Sequence, residues 1–206
     1  MTGNGTSRKE SGLYLTLDRN IWITKHSRYT ASERLKNKHM YSQYTIAILS
    51  IYVLSLSIAP KFIFHTNQNL DSINFVNILL SICIIVVSLL ESNNNYELKA
   101  ERLYNCANEL NALLQQLKMV PDDDANFSEK VELVSKQYSD ILLKYNDNHT
   151  HHDYDLFRAR NAREFKNEIH QSILLWYYCK HYFMSYAFYL VLIIVPIIYI
   201  IIAYVV

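Results

Sequence analysis

The sequence predicts an all-α integral membrane protein with three transmembrane helices and a cytoplasmic helical hairpin between the second and the third. Charged residues are absent from three runs of 20, 19 and 25 residues, each long enough to cross a bilayer as a helix. Lysine and arginine concentrate in two of the segments outside these runs. The segment between the second and third runs shows helical periodicity and no strand signal.

Residues 1–40 are predicted to form a basic, cytoplasmic N-terminal arm. This segment contains eight lysine and arginine residues. Its first 20 or so residues are rich in glycine, serine, threonine and asparagine, a composition that is typical of disordered chain because it buries little apolar surface. We therefore expect the start of the arm to lack regular structure.

The three transmembrane helices are predicted at residues 41–64, 72–91 and 182–206. Their uncharged centres are Tyr41–Pro60, Ser72–Leu90 and Tyr182–Val206. An α-helix rises about 1.5 Å per residue, so roughly 20 residues cross a hydrocarbon core of about 30 Å. A core helix of a soluble protein would usually keep a polar stripe, which the third run lacks. Pro196 lies inside the third span and predicts a kink there.

The distribution of lysine and arginine predicts the orientation of the chain in the membrane. Residues 1–40 carry eight of these side chains and residues 92–180 carry eleven, whereas the loop at residues 61–71 carries only Lys61. Cytoplasmic loops are the ones enriched in lysine and arginine. The N-terminus and the segment 92–180 are therefore predicted to lie in the cytoplasm, and the C-terminus at the outer face.

Residues 92–180 are predicted to form a cytoplasmic helical module. Asn93 to Asn95 are expected to break the chain as it leaves the second span, and a turn around Pro121 separates two amphipathic helices. Asn126 and Glu129 have the spacing of a capping box at the start of the second of these helices. The apolar positions of that helix follow a heptad seam, formed by Val131, Val134, Tyr138, Ile141 and Tyr145. The seam could close the hairpin or join two copies of the chain.

Composition argues against two broad classes of function. All three glycines lie within the first dozen residues, so the rest of the chain has no glycine-rich phosphate-binding loop. The net charge of +1 gives no support to a nucleic-acid-binding face. We expect no enzymatic activity, no cofactor and no direct binding of nucleic acid.

A dense polar cluster at residues 145–155 admits two interpretations. His149 and Asp153 are four residues apart, which would place them on one helix face and would suit a metal ion. The alternative is a helix junction held by hydrogen bonds. A metal site needs three or four converging ligands, so the sequence favours the junction and we assign no metal ligand.

The stretch from Tyr138 to Phe165 resembles the signature of the SLATT domains, small two-helix membrane effectors of prokaryotic conflict systems. That signature has a tyrosine on a helix, an Asn-His pair some ten residues later and an Asp-Tyr pair four residues after the histidine. The matching residues here are Tyr138, Asn148, His149, Asp153, Tyr154 and Phe157, followed by Glu164 and Phe165. The resemblance extends over roughly residues 20–206 and is nearest to a subgroup that has a third C-terminal span and is often encoded beside a reverse transcriptase.

The resemblance implies a function as well as a fold. Members of the family are thought to form pores or otherwise breach the membrane when a sensor partner is activated. The chain would then be a homo-oligomeric protein of the bacterial inner membrane that acts in abortive infection, and its partner would be a cytoplasmic sensor such as a reverse transcriptase. The motif would have a structural or regulatory role, since the resemblance brings no catalytic residue with it.

Polar residues inside the first two spans bear on the idea of a pore. They recur at helical spacing on one face of each span, at Ser50, Ser57, Asn74, Asn77, Ser81 and Ser88. Such a stripe could line a water path in an oligomer, or it could form hydrogen bonds between packed helices. Packing is the commoner use of such residues, and both interpretations require helices to associate. A membrane-anchored adaptor that docks a cytoplasmic partner without conducting ions is the alternative function.

Overall fold

The computed structural model describes residues 12–62, 70–165 and 171–205 of the chain. All regular structure in these ranges is helical, which confirms the all-α prediction. The helices are α1 (Gly12–Phe62), α2 (Leu70–Asn94), α3 (Tyr96–Met119), α4 (Phe127–Lys144), α5 (His151–Arg160) and α6 (Gln171–Val205). The end of the first predicted span, residues 63–64, and the last residue of the third, residue 206, lie outside the described residues.

The predicted N-terminal arm is a helix over most of its length. Helix α1 begins at Gly12, so the expectation of disorder is wrong for residues 12–20. Tyr14, Leu17 and Ile21 are 7%, 5% and 0% exposed. Their spacing of three and four residues forms an apolar stripe that packs into a core, and this burial stabilises the helix despite the polar composition around it.

The chain divides into two compact units. The first contains residues 1–34 and 98–177, and the second contains residues 35–97 and 178–206. Helices α1, α3 and α6 each contribute to both units, and most of α6 belongs to the second.

The core of the first unit is built by α1, α3 and α4. Helix α3 contributes the apolar face that its periodicity predicts, and Leu110 and Leu117 are completely buried. From α4, Val131 and Val134 join the same core, and Tyr138, Ile141 and Tyr145 pack against it. The heptad seam of α4 therefore faces the interior of its own chain.

The capping box predicted from Asn126 and Glu129 does not form at the start of α4. Asn126 occupies the N-cap of α4, but its side chain makes no capping hydrogen bond. Instead, the Asp124 carboxylate accepts a hydrogen bond of 2.9 Å from the Asn126 backbone N–H and also bonds the Lys130 ammonium. Asp124, two residues before the N-cap, thus accepts from the backbone N–H that a capping box would pair with Glu129.

Among the described residues, the helices that are long and apolar enough to cross a membrane each have residues in both units. Two such stretches are Gly12–Ile58 and Ile73–Met119, and a third is counted if the bent pair Trp176–Phe183 and Tyr186–Tyr199 forms one span. The two segments of that pair meet at 55°. This bend lies between Phe183 and Tyr186, about ten residues before the proline at which we predicted a kink.

The transition from α2 to α3 takes a single residue. Asn95 has a φ of 48°, in the left-handed region that asparagine tolerates better than most residues. Its backbone N–H still donates to the Glu91 carbonyl oxygen at 3.3 Å. The break predicted at residues 93–95 is therefore confirmed.

The buried face of α3 yields a test of the core. We expect Leu110→Ala to lower the free energy of unfolding by about 2–5 kcal/mol, because the substitution leaves a cavity at a side chain with no exposed surface. Thermal unfolding of the detergent-solubilised protein, followed by circular dichroism, measures the change. Leu133→Ala is the control, since Leu133 of α4 is 51% exposed, and an equal effect of both substitutions would contradict this description of the core.

Candidate functional site

Helix α5 begins with a capping box inside the polar cluster. Thr150 is the N-cap and has an extended backbone conformation, with φ of −90° and ψ of 163°. The Asp153 N–H donates to Thr150 Oγ1 at 3.4 Å, and the Thr150 N–H donates to Asp153 Oδ2 at 2.8 Å. The box satisfies backbone donors that the first turn of a helix leaves without partners. Asp153 thus fixes the residue at which α5 starts.

Asp153 also forms a buried ion pair with Arg34 of α1. The carboxylate is completely buried, and Arg34 donates to it through Nε at 2.6 Å and through a terminal nitrogen at 3.1 Å. Burial by itself would raise the pKa of Asp153, but the hydrogen bonds and charge of Arg34, together with the bonds from Thr150, outweigh burial and lower it. The aspartate is therefore held as an anion between two helices.

A second ion pair joins the other end of α5 to α1. Arg160, the last residue of α5, donates through both terminal nitrogens to the carboxylate of Glu33. Glu33 is the immediate neighbour of Arg34, so adjacent residues of α1 engage the first turn and the last residue of α5. The Glu33 pair is solvent-exposed and contributes less than the buried one.

The motif phenylalanine anchors the apolar side of α5. Phe157 is 1% exposed, and its ring lies 5.2 Å from that of Trp22 and 5.4 Å from that of His26, measured between centroids. Phe165 packs edge-on against the same ring at 5.7 Å. Tyr154, the other motif aromatic on α5, lies 6.3 Å from Phe157. Both aromatic partners from α1 belong to the segment that we predicted to be an arm.

The motif tyrosine of α4 makes a further contact with α1. The Tyr138 hydroxyl shares a hydrogen bond of 2.9 Å with Thr24 Oγ1. Tyr138, Asp153 and Phe157 are therefore brought together by one helix, because each of them contacts α1 between residues 22 and 34. The partners on α1 were missed by the sequence analysis, since they are more than 100 residues away and follow no short motif.

Asn148 and His149 form the approach to α5. The Asn148 side-chain oxygen accepts from the His149 backbone N–H at 2.9 Å, which shapes the turn before the capping box. Nδ1 of the His149 ring is buried and has no hydrogen-bond partner among the described residues. Burial, with a smaller effect of the Arg28 charge, lowers the pKa of His149 and favours its neutral form.

The geometry around Asp153 favours the junction over a metal site. Both carboxylate oxygens already accept hydrogen bonds, Oδ1 from Arg34 and Oδ2 from Arg34 and Thr150. A cation at this position would have to compete with a guanidinium for the same lone pairs. The helix face predicted to carry both His149 and Asp153 does not form, because α5 begins at His151 and His149 precedes it; Asp153 instead closes the capping box with Thr150.

The polar residues of the spans fall into three groups in the second unit. Asn77 of α2 donates from its side-chain nitrogen to Ser57 Oγ of α1 at 2.9 Å, so these two are brought together across helices. Ser50 and Ser81 donate to the backbone carbonyl four residues earlier in their own helix, a bond that Ser57 also makes, to the Val53 carbonyl at 2.7 Å. Asn74 and Ser88 of α2 are exposed and are not brought to the others.

The buried ion pair between Asp153 and Arg34 yields a test of the junction between α5 and α1. We expect Asp153→Asn to lower the free energy of unfolding by about 3–5 kcal/mol, because it leaves the Arg34 guanidinium without its anion. Asp155→Asn, on the same helix and half-buried, is the matched control and should change little. Thermal unfolding in detergent measures both variants, and equal melting temperatures would refute the assignment of Asp153 as the residue that holds α5.

The lowered pKa values of two histidines predict how the stability of the first unit depends on pH. Burial lowers the pKa of His26 and His149 below the ordinary 6.5. An unfolded chain then binds more protons than the folded one, so their contribution to stability is complete above pH 6.5 and declines as pH falls below it. Melting temperatures from about pH 8 to about pH 5 should fall, and fall less steeply in the double variant His26→Gln, His149→Gln. The exposed His151 is the control, and a His151→Gln variant with the flatter profile would contradict the assignment.

Comparison with known proteins agrees with the family resemblance and with the apolar helices. The sequence matches the SMODS and SLOG-associating 2TM effector domain family 5 over residues 14–202, whereas no curated protein and no solved structure matches it. The match confirms the resemblance at the level of the family, which consists of membrane effectors and is not a known enzyme family. The link to a reverse transcriptase stays a prediction. Because the match covers nearly the whole sequence, the chain belongs to the SMODS and SLOG-associating 2TM effector domain family 5.

Proposed function

We propose that the chain is the membrane effector of a prokaryotic antiviral system that acts by abortive infection. It assembles into homo-oligomers in the inner membrane and forms a pore, or disrupts the bilayer, when a cytoplasmic sensor partner triggers it. Membership of an effector-domain family supports the assignment to conflict systems. The uncharged runs support three crossings, and the lysine and arginine distribution supports a cytoplasmic N-terminus and an outer C-terminus.

Exposed polar residues on one face of α2 support the proposal that the chain forms oligomers. Asn74, Ser81 and Ser88 repeat every seven residues, and the first and last of them are exposed. The exposed side chains around them are apolar, as in Ile78 and Ile85, which are 60% and 59% exposed. Polar side chains that face hydrocarbon are unfavourable, and a second helix relieves this by offering hydrogen-bond partners.

The hydrogen bonds within one copy indicate which polar residues of the spans can contact another copy. Asn77 and Ser57 already bond each other, so they serve the packing of α1 against α2 within the chain. Asn74 has no such partner in the described part of the chain and is available to another copy or to water. The described residues of one copy supply at most three spans, so a water path requires several copies around it.

A membrane-anchored adaptor is the second candidate function. It is favoured by the first unit, where α5 and the motif are fixed to α1 by two ion pairs and an aromatic cluster, a rigid arrangement suited to docking a sensor. An adaptor would tolerate replacement of its spans by unrelated apolar helices. An effector that acts on the bilayer would lose its activity in that exchange.

Membrane potential in living cells tests the proposal. We expect rapid depolarisation when the protein is induced together with its sensor partner, and loss of depolarisation in Asn74→Leu at equal protein levels, because the substitution removes the exposed amide. Ile78→Val is the control on the neighbouring exposed surface and should behave like the unchanged protein. An intact potential in all strains, with the protein located in the membrane, would favour the adaptor instead.

A further inference from the structure

A small cavity with both polar and apolar walls lies in the second unit, where the charged and uncharged parts of its helices meet. Its volume is about 190 Å³, several times the roughly 30 Å³ that one water molecule occupies in the liquid. Lys38 and Ser42 of α1 and Glu91 and Asn94 of α2 supply its polar wall. No step of the proposed function uses this cavity.

The cavity holds one cation and one anion that keep unused hydrogen-bonding capacity. The Lys38 ammonium lies 4.6 Å from the centroid of the Tyr96 ring, and its N–H groups have no acceptor among the described residues. Glu91 is 9% exposed and contacts His39 Nδ1 through Oε1 at 2.5 Å. Its second carboxylate oxygen has no partner in the described ranges. The site can therefore take a ligand that carries both charges.

Two further polar groups complete the wall. Ser42 is 1% exposed, and its hydroxyl interacts with that of Tyr189, which also lines the cavity, without reaching normal hydrogen-bond distance of any described residue. Asn94 uses its side-chain nitrogen on the Leu90 carbonyl at 2.6 Å, which leaves its side-chain oxygen as an acceptor. A buried hydroxyl without a close partner is costly, so it favours a polar occupant of the cavity.

The position of the cavity along the chain matches the headgroup layer of a bilayer. Lys38 lies three residues before the uncharged run that starts at Tyr41, and Glu91 directly follows the run that ends at Leu90. Lysine side chains near the ends of spans extend toward this layer. The remaining wall includes Val87 and Phe188, which are suited to contact with the acyl chains of a lipid.

We propose that this cavity binds the headgroup of a zwitterionic phospholipid with a primary amine, as in phosphatidylethanolamine. Lys38 binds the phosphate, and Glu91 accepts hydrogen bonds from the ammonium, with the Asn94 oxygen as a further acceptor and the Ser42 hydroxyl as a further donor. An anionic headgroup would satisfy Lys38 and be repelled by Glu91. A choline headgroup has no N–H to donate to the carboxylate.

Native mass spectrometry of the full chain in detergent tests this site. Phosphatidylethanolamine, phosphatidylcholine and phosphatidylglycerol with identical acyl chains are titrated separately. We expect the first to bind more tightly than the other two. Lys38→Met should weaken its binding about tenfold, the loss expected for one hydrogen bond to a charged group. Lys36→Met is the matched control, since Lys36 is exposed and lies outside the cavity.

Two further variants, Glu91→Gln and Lys38→Arg, separate a loss of lipid recognition from a loss of folding. Glu91→Gln should reduce the preference for phosphatidylethanolamine over phosphatidylcholine while circular dichroism stays unchanged, and Lys38→Arg should restore binding. Equal affinity of Lys38→Met and Lys36→Met, or equal affinity of all three lipids, would overturn the proposal. Inorganic phosphate that stabilises the lipid-free protein through Lys38 to the same extent would identify a free anion as the ligand and would also overturn it.

Discussion

A carboxylate can be buried in a protein only where donors replace the water that it loses, and Asp153 shows how much structure that demand can fix. Its two oxygens accept from the Arg34 side chain and from both the backbone and the side chain of Thr150. The first partner ties α5 to α1, and the second sets the residue at which α5 begins. The ring of Phe157, one turn later, then falls against Trp22 and His26. The positions of Asp153 and Phe157 are thus explained by one electrostatic requirement and the packing that accompanies it.

The sequence was sufficient for the features that depend on local pattern. Long uncharged runs predicted the apolar helices, the heptad seam predicted the buried face of α4, and three successive asparagines predicted the break that occurs at Asn95. Composition misled at the N-terminus, where Tyr14, Leu17 and Ile21 form an apolar stripe that begins within a polar segment. In that case three well-spaced side chains outweighed the average of their neighbours.

The candidate site was only half visible in the sequence. The motif residues could be named, but Arg34, Trp22 and Thr24 could not, because pairing across more than 100 residues leaves no local trace. The same residue types also serve different purposes. A histidine and an aspartate four residues apart suggest metal ligands, whereas here the aspartate closes a capping box and an ion pair. Only the position of α1, which supplies Arg34, distinguishes a metal site from this helix junction.

The hydrogen bonds of the spans carry a consequence for how sequences of this family should vary. Ser50 and Ser81 direct their hydroxyls to carbonyls of their own helices, so alanine, cysteine or threonine could replace either one without leaving a neighbour unsatisfied. Asn77 donates to Ser57 across two helices, so loss of the Ser57 hydroxyl strands the Asn77 amide nitrogen in an apolar surrounding. A change at Asn77 leaves Ser57 its own bond to the Val53 carbonyl. Among relatives, Ser50 and Ser81 should drift independently of their surroundings. Loss of Ser57 should be accompanied by a change at Asn77, whereas Asn77 can change while Ser57 stays.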